Sequence, residues 1–289
     1  MDRRILNLTA GLLANHHISS GRPANKIERP LSIVIMTNKS SHAKAILEHL
    51  KKNEIPIRST VIERRREGYH NLSKKNDFIK RLIRLAKSEG LIGSFSLLVQ
   101  VLGQTIHIGR EQDWQNDSFY RNYSSEIEVV DDFNGTVCEE YLKHIKPDLI
   151  VLGGSRILRK NIIEIPRIGI LNAHPGLLPE YRGVDVIRWA ILNGEDVGVT
   201  VHFIDEEIDG GIICLQEVIS INFGKDSIQD ISIRSEELAG RLMAASVMMI
   251  AAHGRIEKSE IQKTGHIYHS MDRKKRKKVD RILERSARI

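Results

Sequence analysis

Residues 171–211 read LNAHPGLLPEYRGVDVIRWAILNGEDVGVTVHFIDEEIDGG, and this stretch decides both the fold and the location of its chemistry. It opens with Asn172-Ala173-His174-Pro175, directly after the apolar run Ile168-Gly169-Ile170-Leu171. It closes with Asp209-Gly210-Gly211, just past the strand-like Gly198-Val199-Thr200-Val201-His202-Phe203-Ile204. A polar cluster after one strand and a carboxylate after the next are expected to meet at the ends of neighbouring strands. That edge of an α/β sheet is where sites form. Asn172 supplies an amide donor, His174 an acid/base and Asp209 a carboxylate that can orient the imidazole and accept a proton, a set suited to acyl transfer. His202 lies in the second strand and is read as packing. Singly, each of these residues has an ordinary structural reading, and the argument rests on their order and spacing.

Working outward, short apolar runs alternate with helical patterns. Strands are expected over residues 31–36, 56–62, 127–130, 149–152, 198–204 and 217–222. Helices are expected over 43–53, 136–145, 184–192 and 227–252. Such alternation predicts an α/β fold, Rossmann-like, with a mainly parallel sheet and helices on both faces. The domain is expected to span 31–255, flanked by an N-terminal extension (1–30, with a helix about 3–15) and a C-terminal one (256–289, with a basic tail). Residues 63–125 break the alternation and read as an insertion, with amphipathic helices over 77–88 and 91–108 and a loop over 111–125. The first strand exits through Thr37-Asn38-Lys39-Ser40-Ser41, which lacks glycine, so a plain βα turn is favoured over a phosphate cradle. Gly153-Gly154 either lets backbone approach a ligand or makes a tight turn, and spacing alone leaves both open.

Hydrophobic residues make up 41% of the 289, enough for a substantial core, while aromatics at 5% are too few for a base-stacking surface. The net charge is +7. Residues 272–289 hold nine Lys or Arg against three acids, a net of +6, which leaves +1 for everything before them. The basicity therefore describes the tail, which reads as a solvated helix, and nucleic acid is not expected as a partner. Cys138 and Cys214 are far apart, match no metal spacing and read as core thiols. The apolar run 91–108 is too short and polar for a membrane span, and the first residues hold no signal-like apolar core, so a cytoplasmic location is expected.

Asn172-Ala173-His174-Pro175-Gly176-Leu177-Leu178-Pro179-Glu180-Tyr181-Arg182-Gly183, followed by Gly198-Val199-Thr200-Val201-His202, Asp209-Gly210-Gly211 and Gln216, resembles the formyltransferases that use 10-formyltetrahydrofolate. That family includes glycinamide ribonucleotide, methionyl-tRNA and sugar N-formyltransferases. The resemblance is clear over about residues 147–220. It implies Asn172, His174 and Asp209 as the catalytic set. It also implies that the segment with Arg156, Ile157 and Leu158 lines the pterin pocket through backbone groups, and that the loop with Ile204, Asp205 and Glu206 binds folate. Transfer of a formyl group from 10-formyltetrahydrofolate to a primary amine of a small substrate, such as an amino sugar or nucleotide-linked sugar, is then expected, with no metal. Hydrolysis of the same folate at the same site, or methionyl-tRNA formyltransferase-like activity, is the alternative. The oligomeric state and the amine are not specified by the sequence.

Overall fold

The computed structural model describes residues 30–64, 116–154, 157–207, 209–253 and 265–284. The expected helices near 3–15, 77–88 and 91–108 lie outside these residues, as does Arg156.

Seven strands form one sheet: β1 (Ile33–Thr37), β2 (Ser59–Glu63), β3 (Glu126–Val130), β4 (Leu149–Gly153), β5 (Gly169–His174), β7 (Val197–Phe203) and β8 (Ile213–Ile219). Their order is β3-β2-β1-β4-β5-β7-β8. Strands β3 to β5 pair in parallel, while β7 is antiparallel to both β5 and β8. The chain starts in the middle at β1, winds outward to β3 and returns to the other side at β4. The reversal between β1 and β4 creates a crevice at the carboxyl ends of these strands. The short β6 (Tyr181–Gly183) pairs separately with β9 (His266–Tyr268).

Side-chain alternation along the central strands sorts the core into two layers. Ile33, Ile35, Leu149, Val151, Leu171 and Ala173 face one way and pack against α1 (Ser41–Lys52) and α6 (Ile228–His253). Val34, Met36, Ile150, Leu152 and Ile170 face the other and pack against α3 (Thr136–Ile145) and α4 (Lys160–Ile163). These strands have no solvent face, which is why they read as unbroken apolar runs. The remaining helices are α2 (Asp117–Tyr120), α5 (Val186–Asn193) and α7 (Arg273–Glu284).

The mainly parallel sheet with helices on both faces is as expected, and the helix over residues 136–145 is found with those bounds. Other boundaries move. The last strand lies at Ile213–Ile219, earlier than the expected 217–222. The antiparallel hairpin with β7 fixes its register and is invisible in a local apolar count. Residues 111–125, expected as loop, include α2, capped by the Asn116 side chain on the Ser118 N–H. Phe119 and Tyr120 of this turn are buried in the main core, so tertiary burial stabilises a helix too short to persist alone. The basic tail is no free helix either. α7 docks through buried Val279 and Leu283 and contacts α5.

Asp148 ties the start of β4 to its surroundings. Its carboxylate is 1% exposed, accepts the Ser32 N–H at 2.9 Å and pairs with Arg167 Nε at 2.6 Å. Asp148→Ala is expected to destabilise the fold by about 1–3 kcal/mol, because it leaves the buried Ser32 N–H without its acceptor, while the half-exposed Arg167 can turn to water. Urea unfolding would show this as a lower midpoint at unchanged slope.

Candidate active site

The same alternation that builds the core places the polar residues. On β5, Leu171 and Ala173 enter the main core, so Asn172 and His174 share the opposite face. On β7, Val197, Val199, Val201 and Phe203 enter that core, leaving Gly198, Thr200 and His202 on the face of Asn172 and His174. The antiparallel register pairs Asn172 with His202 and His174 with Thr200. Asn172 and His174 thus lie within β5 itself, not after it as expected, because the β7 pairing continues the strand to His174.

Asp209 arrives by a different route from the expected one. Because β7 runs antiparallel to β5, its exit points away from the tip of β5. The loop after Phe203 turns back, and Asp209 takes a left-handed φ of 48°. Its Oδ1 then lies 3.4 Å from His174 Nδ1, while its Oδ2 accepts the Gly183 N–H at 2.6 Å. His174 Nε2 donates to the Tyr181 carbonyl at 2.7 Å. Both ring nitrogens of this buried imidazole therefore face acceptors, an arrangement that accommodates the doubly protonated ring. Burial nonetheless pushes His174 below the usual histidine range, against the opposing pull of Asp209 and the Tyr181 carbonyl. Burial thus favours the neutral ring more than in an ordinary histidine, while Asp209 beside it can stabilise the imidazolium once the ring takes a proton.

Sequence reasoning treated His202 as packing, and the structure gives it more. It is fully buried, and its Nδ1 donates to the carbonyls of Gly210 at 2.8 Å and Phe203 at 3.0 Å. Its Nε2 is then an acceptor for Asn172 Nδ2 at 3.2 Å. Those contacts fix the tautomer and one N–H of the Asn172 amide. The usable signal was period two: His202 falls in register with Thr200 on the polar face of an otherwise apolar strand. The Thr200 hydroxyl donates to the Gly176 carbonyl at 2.7 Å and accepts the Leu178 N–H and Gln216 Nε2, so it holds the loop after His174.

Of the expected folate loop, Glu206 pairs on the surface with Lys160, two residues past Leu158, at 3.2 Å. Ile157 is 68% exposed, and its carbonyl accepts Asn134 Nδ2. Leu158 is buried in the second core layer, so only its backbone can serve a ligand. Ile204 packs at the edge of that layer, and Asp205 is exposed. In the β1–α1 loop, the Thr37 and Ser40 hydroxyls both donate to the Gly153 carbonyl at 2.9 Å, and the Asn38 N–H donates to Gly154. These groups close the β4 exit turn, in line with a plain βα turn.

His42, at the start of α1, completes a group of three histidines with depressed affinity for protons. It is held down to about 4 by burial first and by the charge of His174 second. His202 is lowered for the same two reasons. The sign for stability follows. Above pH 6.5, the ordinary histidine value, native and unfolded chains are both neutral at residue 42. As the pH falls from 6.5 towards 4, the unfolded chain takes a proton that the native one refuses, and stability is lost. Melting temperature is expected to drop across that window, and less steeply in His42→Gln.

Cys138 is buried and Cys214 half-buried, both unpaired, and burial pushes both thiols up to about 12, which suits core thiols and not nucleophiles. Among the described residues there is no cluster of metal-ligating side chains and no helix long and apolar enough to cross a membrane. A separate cleft of about 580 Å³, lined in part by Lys143, Lys146, Asp148 and Arg167, includes none of the residues of the Asn172–His174–Asp209 cluster.

An α/β sheet carrying a buried imidazole–carboxylate pair and an oriented amide has the groups that acyl transfer requires. Residues 31–247 match the formyl transferase family model, and the chain belongs to that family. It is 42% identical over 108 residues to a methionyl-tRNA formyltransferase of Thermodesulfovibrio yellowstonii, a match spanning 37% of this chain and 35% of the relative. It is 41% identical over 119 residues to a phosphoribosylglycinamide formyltransferase of Haemophilus influenzae, spanning 40% of this chain and 53% of the relative. The matches thus cover between a third and about half of these relatives' lengths. Among solved structures, glycinamide ribonucleotide transformylase 1 from Symbiobacterium toebii superposes with a TM-score of 0.55 at 21% identity, covering 84% of this chain and 99% of that one. A 4-N formyltransferase from Francisella tularensis gives a TM-score of 0.52 at 15% identity, covering 83% and 77%. These likenesses show the fold.

Proposed function

We propose that this chain transfers a formyl group from 10-formyltetrahydrofolate to a primary amine of a small substrate, an amino sugar or nucleotide-linked sugar being the expected class. The observation that carries the reading is the contact of His174 with Asp209 at 3.4 Å, two positions along β5 from an amide held by His202. The free amine attacks the formyl carbon, a C–N bond forms and negative charge gathers on the formyl oxygen. The second N–H of Asn172 and His174 are the donors for that charge, His174 releasing the Tyr181 carbonyl and becoming cationic by taking up the proton that the attacking amine sheds. Asp209 stabilises the imidazolium and passes the amine proton, directly or through water, to the folate nitrogen as its bond to carbon breaks. The exposed face of Ile157 and the backbone of residues 204–206 offer an apolar contact and polar groups for the folate ring. In this reading the residues over 31–255 form the catalytic domain, in a cytoplasmic protein.

The test is turnover of 10-formyltetrahydrofolate across a panel of amino sugars, nucleotide-linked amino sugars, glycinamide ribonucleotide and methionyl-tRNA, with water alone as a further arm. Formylation of a small amine is expected. The comparisons lend no support to the hydrolase alternative, and folate consumption at an equal rate without any amine would establish it and defeat the transferase reading. Robust turnover of methionyl-tRNA would replace the small amine as acceptor.

A further inference from the structure

Both members of the imidazole–carboxylate pair are tied to one three-residue strand. β6 provides the Tyr181 carbonyl to His174 Nε2 at 2.7 Å and the Gly183 N–H to Asp209 Oδ2 at 2.6 Å. β6 is not part of the main sheet, and its strand partner is β9. The pairing is parallel, Tyr181 with His266 and Gly183 with Tyr268, and the Val184 N–H donates to the Tyr268 carbonyl at 3.0 Å. The fit is close: Gly183 has a φ of 95°, and a Cβ there would lie 2.2 Å from the Tyr268 oxygen.

Side chains reinforce this contact. The Tyr181 and Tyr268 rings stack at 5.1 Å, and Asn193 Nδ2 donates to both hydroxyls at 3.2 Å. Trp189 Nε1 donates to the His269 carbonyl at 2.8 Å. Past β9 the chain is latched at Asp185, whose Oδ2 accepts the Met271 N–H at 2.9 Å and Arg276 Nη2 at 2.7 Å. Arg276 Nε in turn donates to the Met271 carbonyl at 2.8 Å.

We infer that residues 265–284 are a positioning strap for the active site: Tyr268 and the Asp185–Arg276 latch hold β6, and β6 holds His174 and Asp209 in mutual register. The strap acts on His174 and Asp209 through the two β6 contacts. Without it, β6 would lose its strand partner and keep only the burial of Tyr181 and the Arg182–Glu207 pair to hold two catalytic side chains, and short strands are not stable unpaired. The basic stretch from Arg273 to Lys278 then has a place in the fold that charge alone does not give it. Its fourth cation, Arg276, closes the latch, and Lys275 covers Trp189 at 4.8 Å.

The experiment uses the full chain carrying Arg276→Ala or Tyr268→Ala, with Arg276→Lys and Tyr268→Phe as conservative partners. The first readout is the His174 Nε2–H proton, assigned by its absence in His174→Asn and observed by NMR at a temperature well below melting. In the parent this proton sits on the Tyr181 carbonyl and should exchange slowly. The two alanine variants should lose the signal to exchange, and the conservative variants should keep it. The second readout is steady-state kinetics: kcat falls about tenfold or more with KM nearly unchanged in the alanine variants, and recovers in Arg276→Lys and Tyr268→Phe. The kinetic arm rests on the proposed formyl transfer, whereas the NMR arm does not, so failure of one reading leaves the other measurable. Folded alanine variants that retain both the protected imidazole proton and the parent kcat would overturn the strap, even if their melting temperatures fall.

Discussion

Asp209→Asn is expected to lower kcat by about 10²–10³-fold while leaving the melting temperature within a few degrees of the parent. The substitution keeps the shape and the acceptor for the Gly183 N–H, so the loop has no reason to move. It removes the charge 3.4 Å from His174 Nδ1. Burial already opposes the imidazolium, and the Asp209 carboxylate works the other way. Without it the imidazole stays neutral through the reaction, the charged donor to the oxyanion is lost, and the proton has no route to the leaving nitrogen. One such donor is worth about 3 kcal/mol in the transition state, because it acts when charge appears on the oxygen. The loss should therefore fall on kcat and spare KM. His174→Ala should cost a similar factor, and the double variant far less than the product of the two, since the pair works as a unit. The measurement is kcat, KM and melting temperature for the three proteins, using the amine that the acceptor screen returns. A folded Asp209→Asn protein with near-parent kcat would remove Asp209 from the mechanism.

Gly211→Ala is expected to have a large structural effect for a single methyl group. Gly211 has a φ of 91°, where a side chain is strained, and a Cβ there would lie 2.0 Å from the Phe203 carbonyl oxygen. That oxygen belongs to the last residue of β7, and Phe203 N donates to the Ile212 carbonyl at 2.8 Å. The contact is backbone against backbone, so no side chain can swing aside. The backbone conformation costs about 1–3 kcal/mol for a residue other than glycine, and the overlap adds to it. The β7–β8 connection must open, and Asp209 moves with it. We expect a destabilisation of more than about 3 kcal/mol by urea unfolding. We also expect an activity loss comparable to that of Asp209→Asn in whatever fraction remains folded. Parent stability and activity in Gly211→Ala would show that the loop has another way to close.

The α/β architecture was legible because its central strands are buried on both faces and so appear as the unbroken runs of residues 31–36 and 149–152. The helix over residues 136–145 was legible for a similar reason, since its own pattern carries the signal. The three candidate site residues were marked by their order in the chain, Asn172 and His174 after an apolar run and Asp209 before two glycines. The readings placed on residues 1–29, 65–115, 155–156, 208, 254–264 and 285–289 lie outside the described residues.

What the sequence by itself determined was local: which runs are buried, which residues are chemically able, and that strands and helices alternate. The tertiary structure decided everything that depends on pairing. The antiparallel register of β7 made His202 the partner of Asn172, though its own neighbours in the sequence gave it the look of core. The return of the 204–212 loop, not adjacency of strand ends, brought Asp209 to His174. The basic tail became an anchored strap because Arg276 finds Asp185 across the chain and Val279 and Leu283 are buried in the main core. Propensity and periodicity sample a few residues on either side of a position. Register, loop return and long-range docking are fixed by the free energy of burying one segment against another, and no local window contains both.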